Sequence, residues 1–298
     1  MQEKMEDESK SVLTGEIPGG ALSFSKISTF TRCQYQFYLS YVKKIRTAPS
    51  AAMILGRAFH SGQQYGVTEM IERSTPPPDM VTDYAVAYYE ATLILEPDTE
   101  FGGDDPNAGV VKDDLVKMSG PVFDKSVSKL NPITCEEKFE IEVSGVRVRG
   151  RLDIKDKKED GVSITELKTG TRRPELLTSF DLQTSIYSKS QNNVRGLRKI
   201  FTVRHLDKNR NFSVLNYIKK PDPPSFINDM ILMVGRVAEA IKSASIYGFI
   251  KQSDLRTCSW CGHRKMCRPE IFANEHSPEE YVSLETVFST KPEKKIKI

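Results

Sequence analysis

The chain has 298 residues, of which 38% are hydrophobic and 28% are charged, and its net charge at neutral pH is +3. This composition predicts a globular protein with ample core, and so small a net charge does not by itself identify a nucleic-acid-binding protein. The sequence shows no signal peptide and no apolar run near about 18 residues, which predicts a cytoplasmic protein without a membrane span. Its five cysteines then favour metal binding or catalysis over a disulfide framework.

The N-terminal region is predicted to contain a polar tail followed by one long helix. Residues 1–20 are polar and are expected to be disordered. From position 27 to position 41 apolar residues recur every three or four positions, which predicts a helix that includes Cys33. Ser23 or Ser25 is the expected N-cap of this helix.

Three more helices are predicted before the first strand. One covers about 52–72 and carries His60. The other two cover about 81–95 and 110–130, and together they form a helical insertion at about 74–130.

From position 133 the residue pattern predicts strands instead of helices. Segments 133–143, 146–156 and 162–168 are rich in β-branched residues, and the turns Ser144-Gly145 and Asp160-Gly161 separate them. This pattern predicts an antiparallel meander. The elements predicted after it are a helix at about 175–191, strands at 199–206 and 212–219, and an amphipathic helix at 224–246.

Two of these strands carry polar side chains that suit a metal centre. Asp153 interrupts an apolar strand pattern, and the period of two places Glu166 and Lys168 on one face of the next strand. If the strands pair, the two carboxylates come within roughly 5 Å of each other. Their repulsion would be relieved by Mg²⁺ or Mn²⁺, and Lys168 would orient or deprotonate a water. The alternative is a surface salt bridge between Glu166 and Lys168.

Two helices contribute further polar candidates. His60 lies on a helix of apolar character, where a lone histidine is usually structural. Gln183 and Tyr187 are spaced i and i+4, so they share one helix face and are placed to reach a substrate phosphate or base.

The order of these motifs resembles that of a known family. Gly-x-x-x-His, Gly-Arg-Leu-Asp, Glu-Leu-Lys-Thr-Gly and Gln-x-x-x-Tyr follow one another as in the PD-(D/E)XK nuclease superfamily, and the RecB-like branch is the most similar. The resemblance covers about residues 21–270. It implies an α/β, restriction-endonuclease-like core with a central mixed β-sheet flanked by helices. We therefore predict one nuclease domain at 21–285, followed by a basic tail at 286–298.

The resemblance also assigns roles to single residues. It implies that Asp153, Glu166 and Lys168 are catalytic, and that DNA contacts come from Gln183 and Tyr187, with Arg172 and Arg173 nearby. The implied metal ligands are His60, Asp153, Glu166 and the backbone carbonyl of Leu167.

A second candidate centre is formed by cysteines. Cys258, Cys261 and Cys267 follow a Cys-x2-Cys-x5-Cys pattern. Together with His263 they would make a Cys3His zinc site, and together with Cys33 they would hold a [4Fe–4S] cluster. Free core thiols are the remaining alternative, which is how we interpret Cys135, a buried strand residue outside this scheme.

The resemblance favours the cluster over zinc. RecB-like iron–sulfur nucleases, among them the CRISPR-associated adaptation nucleases and the AddB nuclease domain, carry their cysteines at similar places. In them a [4Fe–4S] cluster joins the N- and C-terminal regions. We expect a structural role, because phosphodiester hydrolysis needs no redox cofactor.

Together these features predict a metal-dependent DNA exonuclease or end-processing nuclease. The sequence contains no phosphate-binding loop of an ATPase, so its DNA would be single-stranded or have free ends, or a partner would unwind it. The expected setting is recombination, repair, phage DNA metabolism or CRISPR adaptation, with a helicase or another protein of these pathways as partner. The alternatives are a catalytically silent module that binds DNA ends, and a zinc-bearing scaffold.

Overall fold

The computed structural model describes residues 16–171, 178–204 and 209–272. The chain divides into two compact units: the first ends at Gln252 and the second begins at Ser253. Within the described ranges, no helix combines the length and the apolar character that crossing a membrane requires.

The N-terminal helix is shorter than predicted. Helix α1 covers Phe24–Arg32 and is capped by Ser23, whose hydroxyl accepts a hydrogen bond from the Lys26 amide at 3.2 Å. Ahead of it, Pro18–Gly20 form a 3-10 turn, although these residues were expected in the disordered tail. The Lys26 ammonium donates to the carbonyl of Pro18 at 2.7 Å, which ties this turn to the helix.

The prediction of one continuous helix through Cys33 was wrong. Cys33 has an extended backbone with φ −159° and ψ 112°, and it separates α1 from the short helix α2, Gln34–Phe37. The break has a local cause, because the Cys33 sulfur accepts a hydrogen bond from the Gln36 amide at 3.4 Å and so caps the second helix. A π-helical turn, Tyr38–Val42, follows.

Three helices then pack closely together: α3 at Ala51–Glu72, α4 at Pro78–Leu95 and α5 at Ala108–Lys125. Glycines allow the close approach. A Cβ atom added to Gly66 would lie 2.5 Å from the ring of Phe123 on α5. Helix α5 ends five residues before the predicted limit of 130, and the chain continues as a 3-10 turn at Val127–Lys129.

A mixed five-stranded sheet forms the centre of the first unit. Strands β1 to β3 are antiparallel, as the predicted meander requires, whereas β3 and β4 run parallel and β4 and β5 are antiparallel again. The strands lie side by side in chain order. Their bounds are Pro132–Val143 for β1, Val146–Lys158 for β2, Gly161–Gly170 for β3, Val194–Val203 for β4 and Ser213–Lys219 for β5.

Helices cover both faces of this sheet. One core joins α3, α4 and α5 to Ile154, Leu167 and Ile200 of the central strands. A second core joins strand residues such as Val148 to α1, to α6 at Thr178–Ser190 and to α7 at Pro224–Tyr247. The prediction of an α/β fold with a central mixed sheet flanked by helices is therefore confirmed.

A buried ion network fixes the helical insertion to the end of β4. Arg204, only 3% exposed, donates to Asp105 at 2.9 Å and to Asp114 at 3.4 Å. Arg210 donates to Asp114 at 2.7 Å. The two aspartates belong to the loop and helix of the insertion, so the network connects segments about a hundred residues apart in sequence.

The second unit consists of short helices around the three C-terminal cysteines. Helix α8, Leu255–Ser259, is capped by Asp254 and contains Cys258. Cys261 lies in the following turn, where its amide donates to the Cys258 carbonyl at 2.9 Å. Cys267 ends helix α9, which begins at Arg264, and helix α10 covers Pro269–Phe272.

Candidate active site

The pairing of β2 with β3 brings the predicted carboxylates onto neighbouring strands. Ile154 pairs with Thr165, so Asp153 and Glu166 are the next residues along the two strands. The Asp153 carboxylate accepts a hydrogen bond from the Leu167 amide at 2.7 Å. This bond fixes Asp153 against β3 and bears out the predicted adjacency of the two strands.

Glu166 is buried and held by three side chains. Its side chain is 4% exposed and forms an ion pair with Lys168. One carboxylate oxygen accepts from the Gln183 amide group at 2.8 Å, and the other accepts from the Tyr187 hydroxyl at 2.7 Å. Gln183 also donates to the Tyr187 hydroxyl at 2.7 Å. These two residues of α6 and Glu166 therefore form one hydrogen-bonded network.

Gln183 and Tyr187 are therefore buried against the Glu166 carboxylate, with exposures of 6% and 5%. Burial and the nearby Glu166 charge raise the pKa of Tyr187 well above its usual value, so its hydroxyl remains a donor. The contact of these two residues with DNA stays a prediction. Arg172 and Arg173 lie outside the described residues.

His60 on α3 faces the same carboxylates. Its Nδ1 atom is 3.7 Å from the Asp153 carboxylate. Burial, helped by the positive charge of Lys168, lowers the pKa of His60 to about 4, although Glu166 and a backbone hydrogen bond with Leu167 oppose the shift. At neutral pH the imidazole is therefore uncharged, as a metal-binding histidine must be.

The electrostatics of the site suit a divalent cation. Burial and the charge of Glu166 raise the pKa of Asp153 well above its usual value, against the opposing effects of Lys168 and the Leu167 amide. Burial lowers the pKa of Lys168, but the charges of Glu166 and Asp153 outweigh it and raise that pKa overall. A neutral imidazole beside desolvated carboxylates is a donor set that fits Mg²⁺ or Mn²⁺.

Two residues at this site were missed by the sequence reasoning. Ligand atoms of Glu136 on β1, His60 and Asp153 lie within 4.8 Å of one another. Lys199 on β4 pairs with Glu166 and is 6% exposed. Neither residue stands out in the sequence. Glu136 belongs to a charged stretch in which polar and apolar residues do not alternate, and Lys199 belongs to a basic run that is typical of a solvated face.

The cysteines form no comparable grouping. All five lie in the described part of the chain, and none is in a disulfide. Among the residues that the structure describes, the group of His60, Glu136 and Asp153 is the one with ligand atoms close enough for a single ion. Cys135, predicted to be buried, is partly buried on β1 and packs against the helical core, and this burial raises the pKa of its thiol to about 12.

The chain resembles known proteins in its fold and in the family to which its sequence belongs. None of the curated proteins matches the sequence significantly. A protein from Eubacterium rectale, described as a candidate exonuclease, has a similar fold with a TM-score of 0.51 and 9% identity, over 95% of this chain and 98% of that one. A protein called SSO0001 aligns with a TM-score of 0.30 and 14% identity, over 82% of this chain and 92% of that one. The family model of the PD-(D/E)XK nuclease superfamily matches residues 21–268, and the chain therefore belongs to that superfamily.

Proposed function

We propose that this protein is a divalent-metal-dependent DNA exonuclease or end-processing nuclease. The observation that carries the proposal is the convergence of His60, Asp153, Glu166 and Lys168 at one point of the sheet. Membership of a nuclease superfamily supports phosphodiester hydrolysis, and the description of the structural neighbour from Eubacterium rectale agrees with an exonuclease. The intact set of side chains disfavours a silent DNA-binding module.

His60 and Asp153 would hold the cation, with Glu166 beside them. When bound, Mg²⁺ or Mn²⁺ polarises a phosphoryl oxygen and makes a bound water more acidic. Lys168 keeps its proton, because the neighbouring carboxylates raise its pKa. Its role is therefore to hold the attacking water and to offset charge on the phosphate, rather than to remove a proton.

Gln183 and Tyr187 would act through Glu166. Both donate to its carboxylate, and both are nearly inaccessible to solvent. Two fixed donors leave the remaining lone pairs of the carboxylate in defined directions. They are thus positioning residues in this proposal, in addition to any contact with DNA.

The test of the nuclease proposal is digestion of end-labelled single- and double-stranded DNA with Mn²⁺. We expect hydrolysis that chelation abolishes, and a loss of at least about a hundredfold in Lys168→Ala and Glu166→Gln. Lys157→Ala is the matched control, because this lysine is exposed and lies four positions from Asp153 along β2. Wild-type rates in either site variant would refute the assignment.

Circular DNA separates the two modes of cleavage. A circle has no ends, so an exonuclease or end-processing enzyme leaves it intact. Rapid cleavage of circular single-stranded DNA would replace the proposal with an endonuclease. No ATPase phosphate loop occurs in the sequence, so a helicase, recombination or CRISPR adaptation partner also remains part of the proposal.

We also propose that Cys33, Cys258, Cys261 and Cys267 hold a structural [4Fe–4S] cluster. The support is chemical: four reduced, partly buried thiols, three of them within one short segment. Each thiolate of such a cluster binds its own iron, so the ligand atoms need not lie as close as those of a single zinc ion. His263 is buried, and in the sequence it lies between Cys261 and Cys267. It would be the fourth ligand if the cysteines bound zinc instead.

Anaerobically purified protein tests the cluster. We expect stoichiometric iron and visible absorbance, both lost in Cys33→Ala and both kept in the control Cys135→Ala. His263→Ala should leave the iron content unchanged, because a four-cysteine cluster does not need the imidazole. Stoichiometric zinc without iron would overturn the cluster and leave the nuclease proposal untouched.

A further inference from the structure

The second unit carries the only tryptophan of the chain, and this side chain lies at the surface. Trp260 directly follows helix α8 and is 81% exposed. Leu255 and Met266 of the same short segment are exposed apolar side chains too. A single exposed apolar residue is ordinary on a protein surface, but tryptophan has a large apolar area that usually finds a partner. This segment is therefore a candidate binding surface.

The backbone holds this tryptophan in an ordered turn. The Cys261 amide donates to the Cys258 carbonyl at 2.9 Å, and the Arg264 amide donates to the Cys261 carbonyl at 3.0 Å. These two successive hydrogen-bonded turns fix the backbone on both sides of the indole. An indole has only two rotatable bonds, so it loses little conformational entropy when it binds a partner.

Basic side chains accompany the tryptophan. The Arg264 guanidinium donates to the Cys261 carbonyl at 3.4 Å, which places a positive charge beside the turn. Arg256 has a side chain that is 88% exposed, and Lys265 is exposed as well. Residues 253–272, the described part of the unit, hold Arg256, Arg264, Lys265 and Arg268 against Asp254 and Glu270. This excess of positive charge favours a polyanion as the partner.

We propose that the second unit binds single-stranded DNA, with Trp260 stacked on an unpaired base and the basic side chains on neighbouring phosphates. An exposed aromatic ring beside positive charge is the combination that single-strand-binding surfaces use. In a duplex the bases are already stacked on one another, so the indole selects unpaired bases. The inference rests on the proposed function and deepens it, because it names unpaired DNA as the preferred substrate. The competing interpretation is that this surface binds another protein through its apolar area alone.

Binding of the full-length protein to a fluorescein-labelled single strand, measured by anisotropy in the presence of chelator, tests the proposal without any turnover. We expect Trp260→Leu to raise the Kd about tenfold, because leucine is apolar but offers no ring for stacking. Trp260→Phe keeps a ring and should stay within about threefold of the wild-type Kd. For a blunt duplex of the same sequence, Trp260→Leu should change the Kd by less than about twofold.

The matched control is Tyr84→Leu. Tyr84 is an exposed aromatic residue of α4 in the first unit, and the exposed Asp83 precedes it, so its surroundings do not favour a polyanion. We expect its single-strand Kd to stay within about twofold of the wild-type value. Lys265→Gln tests the phosphate contacts: it should weaken binding to all single strands alike and lower the slope of log Kd against log salt by about 0.7.

Two results would overturn the proposal: wild-type affinity for the single strand in folded Trp260→Leu, or an equal loss of affinity in Tyr84→Leu. Weaker single-strand binding by Trp260→Leu in a protein that hydrolyses no DNA would support this surface and reject the nuclease proposal. Unchanged single-strand binding by that variant in an active nuclease would do the reverse.

Discussion

At the scale of single residues, the candidate site holds mutually unfavourable charges in place. Asp153 and Glu166 come from neighbouring strands, and the burial of Glu166 and partial burial of Asp153 make their repulsion costly. Lys168 and the hydrogen-bond donors of α6 compensate only part of it. We therefore expect this repulsion to lower the free energy of unfolding of the metal-free protein. A bound cation should remove the repulsion and stabilise the fold.

This leads to a prediction for Asp153→Asn. The amide retains an acceptor for the Leu167 amide but carries no charge, so the metal-free variant should be more stable than wild type by roughly 1 kcal/mol, or about 2–4 °C. Addition of Mn²⁺ should raise the Tm of wild type and leave that of the variant unchanged. Thermal unfolding with and without chelator measures both effects.

The pH dependence of this difference has a definite sign. The pKa of Asp153 is raised in the folded protein, so its protonated form contributes stability at low pH that is lost as pH rises through the folded pKa. The advantage of Asp153→Asn should therefore be larger at pH 7 than at pH 4. A variant that is less stable than wild type at both values would contradict the repulsion argument.

At the scale of elements, close packing of α3 against the insertion sets the position of His60. Gly62 approaches the Val81 carbonyl of α4, and a Cβ atom at Gly62 would lie 2.8 Å from that oxygen. Gln63 donates to the Ser119 carbonyl of α5 at 2.9 Å. Because His60 is on the same helix, the spacing of these three helices determines how far it reaches toward the sheet.

We predict that Gly66→Ala destabilises the protein by about 1–3 kcal/mol, because its methyl group would overlap the Phe123 ring. Gly56→Ala is the matched control on the same helix, since its methyl group would meet only Thr169 at 3.5 Å. That change should be neutral or slightly stabilising, as alanine favours helices over glycine. Chemical denaturation compares the two, and equal stabilities would refute the packing argument.

At the scale of the whole molecule, the insertion belongs to the core rather than to a separate lobe. Its helices contribute residues such as Leu115 and Phe123 to the cluster that covers one face of the sheet. The ion network of Arg204 and Arg210 with the aspartates of the insertion fixes the same connection electrostatically.

We therefore predict that Arg204→Met costs about 3–5 kcal/mol in the free energy of unfolding, because it leaves the buried carboxylates of Asp105 and Asp114 undercompensated. Arg57→Met is the control: the ion pair of Arg57 with Glu96 is exposed and 3.3 Å long, so the loss should stay below about 1 kcal/mol. Urea titrations give both values. A loss below about 1 kcal/mol in Arg204→Met as well would show that the network is dispensable.

Sequence periodicity was sufficient where the signal is local. The alternation and the intervening turn predicted that β2 and β3 pair, which places Asp153 and Glu166 on neighbouring strands. The break at Cys33 was missed, since a capping sulfur leaves the three-and-four spacing of apolar residues intact. Strand β4 begins at Val194, whereas the predicted start was position 199. The prediction missed the first half of the strand because that half is polar and contains Gly196.

The remaining features depend on contacts between distant residues. Arg204 meets Asp105 across 99 positions of sequence, and no local pattern encodes that choice of partner. Glu136 gains its position only from the pairing of β1 with β2. Both residues belong to ordinary charged stretches until the sheet has formed.

The parallel pairing of β3 with β4 has a consequence for the newly made chain. Parallel neighbours need a crossover connection, and here that connection carries α6, whose side chains orient Glu166. During synthesis, the β1–β3 meander with Asp153, Glu166 and Lys168 leaves the ribosome before α6 does. At that stage the side chains that donate hydrogen bonds to Glu166 are still missing. Under the proposed function, incomplete chains should therefore be inactive as nucleases, because the site is complete only after α6 has packed on the sheet.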